Sequence, residues 1–108
     1  MDVMRHVAMR HVVMRHVVIR GRVQGIGYRA WTEYTALERG LQGWVRNRRD
    51  GAVEALFVGP PDAVAAMITA CHQGPRGSRV DGIDQRDGTA EEFSLRRRGE
   101  LFSVLPTV

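Results

Sequence analysis

The sequence predicts an α+β fold of the ferredoxin-like, split β-α-β kind: a mostly antiparallel sheet of four to five strands with two helices on one face. Three observations predict it. Strand-like and helix-period stretches follow one another in the order β-α-β-β-α-β along the 108 residues. Asp50-Gly51 is a tight-turn dipeptide between two strand-like runs, which makes those runs an antiparallel hairpin. The length suffices for one core and is too short for a complete doubly wound dinucleotide fold.

Each element has its own signal. "HVVIR" (16–20) is β-branched, with Val17 and Ile19 sharing a face, and reads as the first strand. A glycine loop, 21–27, follows. "YRAWTEYTALER" (28–39) carries Ala30, Tyr34, Leu37 and Leu41 at helical spacing, and Gly40 is placed to stop the helix. "LQGWVRNR" (41–48) and "AVEALFV" (52–58) are the hairpin strands. Pro60-Pro61-Asp62 opens a second helix reaching about Gln73, and "GPRGS" (74–78) is a loop. "RVDGIDQRD" (79–87) and "EFSLRRR" (92–98) complete the expected sheet. The expected organisation is therefore an N-terminal extension (1–13), a folded domain (14–98) and a tail (99–108) with no assigned place.

The N-terminal stretch 4–17 carries "MRHV" at 4–7, 9–12 and 14–17, so Met4, Met9 and Met14 each offer a start. Its histidines, His6, His11 and His16, do not form a metal set. A step of five residues alternates faces on a strand and turns about 140° on a helix, so no regular element gathers all three.

Composition narrows the function class. With 44% hydrophobic and 26% charged residues, wholesale disorder is excluded. No run approaches the ~18 apolar residues of a membrane span, and Arg and His interrupt the N-terminal apolar runs, which argues against a secretory signal. The expected location is the cytoplasm, with no membrane partner. All 16 basic residues are arginine, and the formal charge of +4 fits an arginine-rich genome as well as it fits nucleic acid and an anionic small molecule together. The single cysteine, Cys71, excludes an internal disulfide and a cysteine metal cluster. It shares a helical stripe with Val64 and Ile68, and His72 points elsewhere, which argues against a Cys–His dyad.

"VQGIGYRA" (23–30) spells G-x-G-x-x-A and so matches the loose dinucleotide fingerprint. The expected hairpin removes that reading, because a dinucleotide loop needs a parallel βαβ unit. What remains is anion chemistry. Gly25 and Gly27 allow successive N–H groups to turn inward, the loop runs into a helix N-terminus, and Arg29 offers a planar fork of donors. A single phosphate group suits this set. The alternative is a glycine turn beside a surface arginine.

A second stretch, "GLQGWVRNRRDGAVE" (40–54), joins the first. Gly21, Val23, Gln24, Gly25, Gly27 and Arg29, with Gly43, Trp44, Val45, Arg46, Asn47, Asp50 and Gly51, closely resemble the acylphosphatase family over about residues 13–98. Ile26 and Tyr28 stand where the family pattern has valine and phenylalanine. The resemblance implies hydrolysis of a carboxyl–phosphate anhydride to a carboxylate and inorganic phosphate. It implies that the phosphoryl group is bound by Gln24, Gly25, Ile26, Gly27, Tyr28 and Arg29, and that Asn47 positions the attacking water, leaving Arg29 and Asn47 as the catalytic pair. The chemistry fits: phosphoryl transfer rests on positioning and charge stabilisation, and a carboxylate leaves without a general acid. No cofactor and no metal are expected, the partner being a small acyl phosphate and the protein a monomer.

Trp44 reads as a core anchor and Arg46 as a strand residue with a solvated head. Two rival functions are weaker. An RNA-binding ferredoxin-like domain displays stacking aromatics on its central strands, whereas "AVEALFV" has one aromatic and no basic-Gly-aromatic signature, so nucleic acid is not an expected partner. A non-catalytic acylphosphatase-like module, as at the start of hydrogenase-maturation carbamoyltransferases, belongs to longer chains with cysteine-rich zinc segments.

Overall fold

The computed structural model describes residues 11–108. The first MRHV repeat and His6 lie outside the described residues. The elements are β1 (Val13–Arg22), α1 (Tyr28–Glu38), β2 (Gln42–Asn47), β3 (Val53–Gly59), α2 (Pro61–Cys71), β4 (Arg79–Asp87), a helical turn α3 (Ala90–Phe93) and β5 (Phe102–Val104). They form one five-stranded sheet in the order β4-β1-β3-β2-β5. Every pairing is antiparallel except β2 with β5. This is the expected ferredoxin-like arrangement with one strand added at the β2 edge.

Alternation along the strands builds the main core. Val17 and Ile19 of β1, Val45 of β2, and Val53, Ala55 and Phe57 of β3 face the two long helices, which contribute Tyr28, Ala36, Val64, Met67, Ile68 and Cys71. Each Val, Ile, Phe or Met side chain among these, when fully buried, contributes about 1.5–3 kcal/mol from area removed from water. The opposite sheet face is also covered. Trp44 and Leu56 pack there against Leu105, with Val58 and Phe93 alongside, and Trp44 Nε1 donates to the Glu92 carbonyl at 2.7 Å.

Three expectations require correction. The stretch 92–98 is not a strand. Thr89 and Glu92 form a reciprocal capping box that starts α3, and the chain then turns back with Arg97 N–H donating to Ser103 Oγ at 2.9 Å. The last strand instead lies in the stretch read as a tail. Phe102–Val104 runs parallel to β2, and Phe102 stacks on Phe57 with ring centroids 6.0 Å apart. Lastly, α1 is rotated from its expected stripe: Tyr28, Thr32, Thr35 and Ala36 are buried, while Tyr34 and Leu37 are exposed. Small residues face the sheet, and Thr32 Oγ1 satisfies itself on the Tyr28 carbonyl at 2.8 Å.

Candidate phosphate-binding site

The topology fixes where the two motifs meet. β1 and β2 both run antiparallel to β3, so they run the same way and end on the same side of the sheet. The loop leaving β1 and the turn leaving β2 are therefore neighbours. At the end of β1 the register shifts between Arg20 and Gly21, and the backbone of Arg79 comes so close that a Cβ on Gly21 would lie 2.1 Å from its carbonyl oxygen. Only glycine fits, and the bulge starts the loop.

Gly25 (φ 80°) and Gly27 (φ 81°) then adopt left-handed conformations, and Gly27 is the N-cap of α1. Among the described residues, the backbone N–H groups of residues 24–30 have no protein acceptor. The first turn of α1 holds no acidic residue and no side chain caps it. A concave run of open donors thus meets the positive end of a helix dipole. Arg29, half-buried in that first turn, has no hydrogen-bond or ion-pair partner among the described residues, unlike Arg15, Arg20, Arg46, Arg48, Arg79 and Arg86.

Tyr28 points away from the loop. It is 1% exposed, and its hydroxyl donates to the Cys71 carbonyl at 2.6 Å, tying the start of α1 to the end of α2. Burial, then the neighbouring Cys71, pushes this phenol well above its usual range. Burial likewise pushes the Cys71 thiol up to about 12, so it remains a protonated core residue. Gln24 is half-buried, and its Nε2 donates to the carbonyls of Arg48 and Ala52, both at 2.8 Å.

Asn47 ends β2 on the same face as Val45, the face that carries the helices. Its backbone is fixed on both sides, by pairing with Val53 and by its carbonyl accepting from Val108 N–H at 3.1 Å. The turn beyond it is set by Asp50, whose Oδ1 accepts from Ala52 N–H at 3.0 Å and whose Oδ2 pairs with Arg48 at 2.9 Å. The Ala52 hydrogen bond, then Arg48, lowers the Asp50 pKa, and the Ala52 bond makes this an Asx turn.

One cluster was not foreseen. On the sheet face opposite α1 and α2, Glu54 is directly across from Arg46, and its carboxylate accepts from Arg46 Nε at 2.7 Å and from His16 Nε2 at 2.6 Å. Arg46 lies 4.6 Å over the Trp44 ring, so its head is packed rather than solvated as expected. Burial alone would raise the Glu54 pKa, but the bonds from His16 and Arg46 outweigh it and hold the group at about 2. A lone glutamate inside "AVEALFV" was the available signal.

An open-amide loop with an arginine at a helix N-terminus, beside a strand that ends in a carboxamide, places a candidate anion site on a ferredoxin-like domain. The sequence model of the acylphosphatase family matches residues 15–97. An acylphosphatase of Bradyrhizobium diazoefficiens is 63% identical over 89 residues, which is 82% of this chain and 90% of that protein. The crystal structure of acylphosphatase from Bacillus subtilis (TM-score 0.74, 32% identity, 88% of this chain and 99% of that one) and the structure of an acylphosphatase from Coxiella burnetii (0.75, 26%, 87% and 93%) superpose on it. The chain belongs to the acylphosphatase family.

Proposed function

We propose that this chain hydrolyses acyl phosphates to a carboxylate and inorganic phosphate, with the loop amides of residues 24–28 and the Arg29 fork holding the phosphoryl group and the Asn47 carboxamide aligning the attacking water. The observation that carries this reading is the set of unpartnered donors around Gly25 and Gly27, joined to an arginine where an acid would stabilise the bare helix. The donors stabilise charge on the phosphoryl oxygens as the bond to the leaving carboxylate loosens. That leaving group is stable near neutral pH, so the site works without a general acid, a cofactor or a metal. No helix among the described residues is long and apolar enough to cross a membrane, and a cytoplasmic monomer acting on a small acyl phosphate completes the reading.

The test is phosphate release from benzoyl phosphate and from a phosphomonoester, before and after exhaustive chelation. Rapid turnover of the acyl phosphate alone, unaffected by the chelator, is expected. Equal turnover of both substrates, or activity restored only by magnesium or zinc, would remove this mechanism.

A further inference from the structure

We propose that Gln24 is a positioning residue, a brace that sets the spacing between the phosphate loop and the turn carrying Asn47, and that its side chain does not bind phosphate. The inference rests on the roles proposed above for the loop and Asn47. Arg48 and Ala52 already exchange a hydrogen bond across the turn, with Arg48 N–H donating to the Ala52 carbonyl at 2.9 Å, and Gly51 N–H donates to the Arg48 carbonyl at 3.1 Å. Gln24 Nε2 supplies a second donor to each of these carbonyls, both at 2.8 Å. That fills the lone pairs of both oxygens and uses both amide hydrogens of Gln24. The orientation of the amide is fixed chemically, since Oε1 in place of Nε2 would confront two acceptors. With its hydrogens committed, the side chain has only an acceptor left to offer, which a phosphate oxygen repels. The expectation that Gln24 binds phosphate therefore passes to its backbone N–H alone.

The brace matters because of what it joins. Arg48 follows Asn47 directly, and Gln24 directly precedes Gly25. A shift of about 1 Å between phosphoryl group and water can cost on the order of 10²-fold in rate with little effect on ground-state binding. Removing the brace should therefore act on turnover rather than on phosphate affinity.

The experiment compares Gln24→Ala, Gln24→Glu and the length-preserving Gln24→Met with Asn47→Ala and the double variant Gln24→Ala/Asn47→Ala. Each is assayed for kcat and KM on benzoyl phosphate, for inhibition by inorganic phosphate and for thermal melting. A fall in kcat of roughly 10- to 100-fold is expected for each Gln24 variant, with phosphate inhibition changed less than about threefold. Gln24→Glu, an acceptor set against two carbonyls, should be at least as slow as Gln24→Ala. In the double variant most of the Gln24 effect should vanish, because the brace works through Asn47. Phosphate inhibition weakening in step with kcat would make Gln24 a direct ligand and overturn the proposal. Multiplicative losses in the double variant, unchanged kcat, or unfolding of Gln24→Met would each overturn it too. Full turnover by Asn47→Ala alone would instead refute the water-positioning role itself.

Discussion

Arg29 occupies the first turn of a helix whose dipole disfavours a cation, and that turn holds no acidic residue to compensate. Such a placement costs the free protein a little stability, which the proposed phosphoryl ligand would recover. Replacing Arg29 with Ala should weaken inhibition by phosphate and slow turnover together. Arg29→Lys should restore little, since a point charge cannot reproduce two parallel N–H bonds. Asn47→Ala should leave phosphate inhibition nearly unchanged while kcat falls roughly 10²–10³-fold, the loss typical of removing one positioned donor. If Arg29→Ala binds phosphate normally, the assignment of that residue fails. At this scale the candidate site was legible, because its donors lie in two short contiguous motifs. The bracing contacts of Gln24 were not, since its partners are carbonyls, which every residue has and no sequence pattern marks.

Among the elements, β5 is the least obvious from sequence and the most consequential for the β2 edge. Only three residues long, it brings buried Phe102 onto Phe57, and the chain beyond it continues along β2 through Leu105 N–H to the Val45 carbonyl and Val108 N–H to the Asn47 carbonyl. Phe102→Ala should destabilise the protein by about 3–5 kcal/mol, the usual cost of a cavity of that size. Denaturant unfolding measures it, and a loss under about 1 kcal/mol would show that the β5 edge contributes little to the core. The expected strand at 92–98 failed because the capping box of Thr89 and Glu92 satisfies the donors of a helical turn locally, whereas strand pairing would have had to be found at a distance. The helix stripe of Ala30, Tyr34 and Leu37 failed for a related reason. Tyr28 is buried and tied to Cys71, and Thr32, Thr35 and Ala36 share its buried face, which leaves Tyr34 and Leu37 outside.

At the level of the whole molecule, the central strands β2 and β3 are covered on both faces, and the smaller face carries a charged network. Glu54 of β3 is held there by His16 from β1 and Arg46 from β2. Its pKa, about 2 against an ordinary 4.5, is depressed in the folded state. The network therefore adds stability above the ordinary value, and that contribution is lost as pH falls from about 4.5 to about 2. The melting temperature should decline through this window. Glu54→Gln should lower it at pH 7, by stranding Arg46, and should flatten the acid slope. An unchanged slope in Glu54→Gln would trace the acid sensitivity to other carboxylates.

The sequence by itself determined the order of the first six elements, the hairpin at Asp50-Gly51, and the glycine loop with Arg29 and Asn47. These depend on periodicity, turn chemistry and short motifs, all of which act within a few residues. Only the tertiary structure decided the rotation of α1, the strand at 102–104, the brace from Gln24 and the pairing of Glu54 with His16 and Arg46. Each of those joins groups between 8 and 59 residues apart in the chain. Such contacts become favourable only once the sheet has already brought the partners together, so no local pattern needs to announce them.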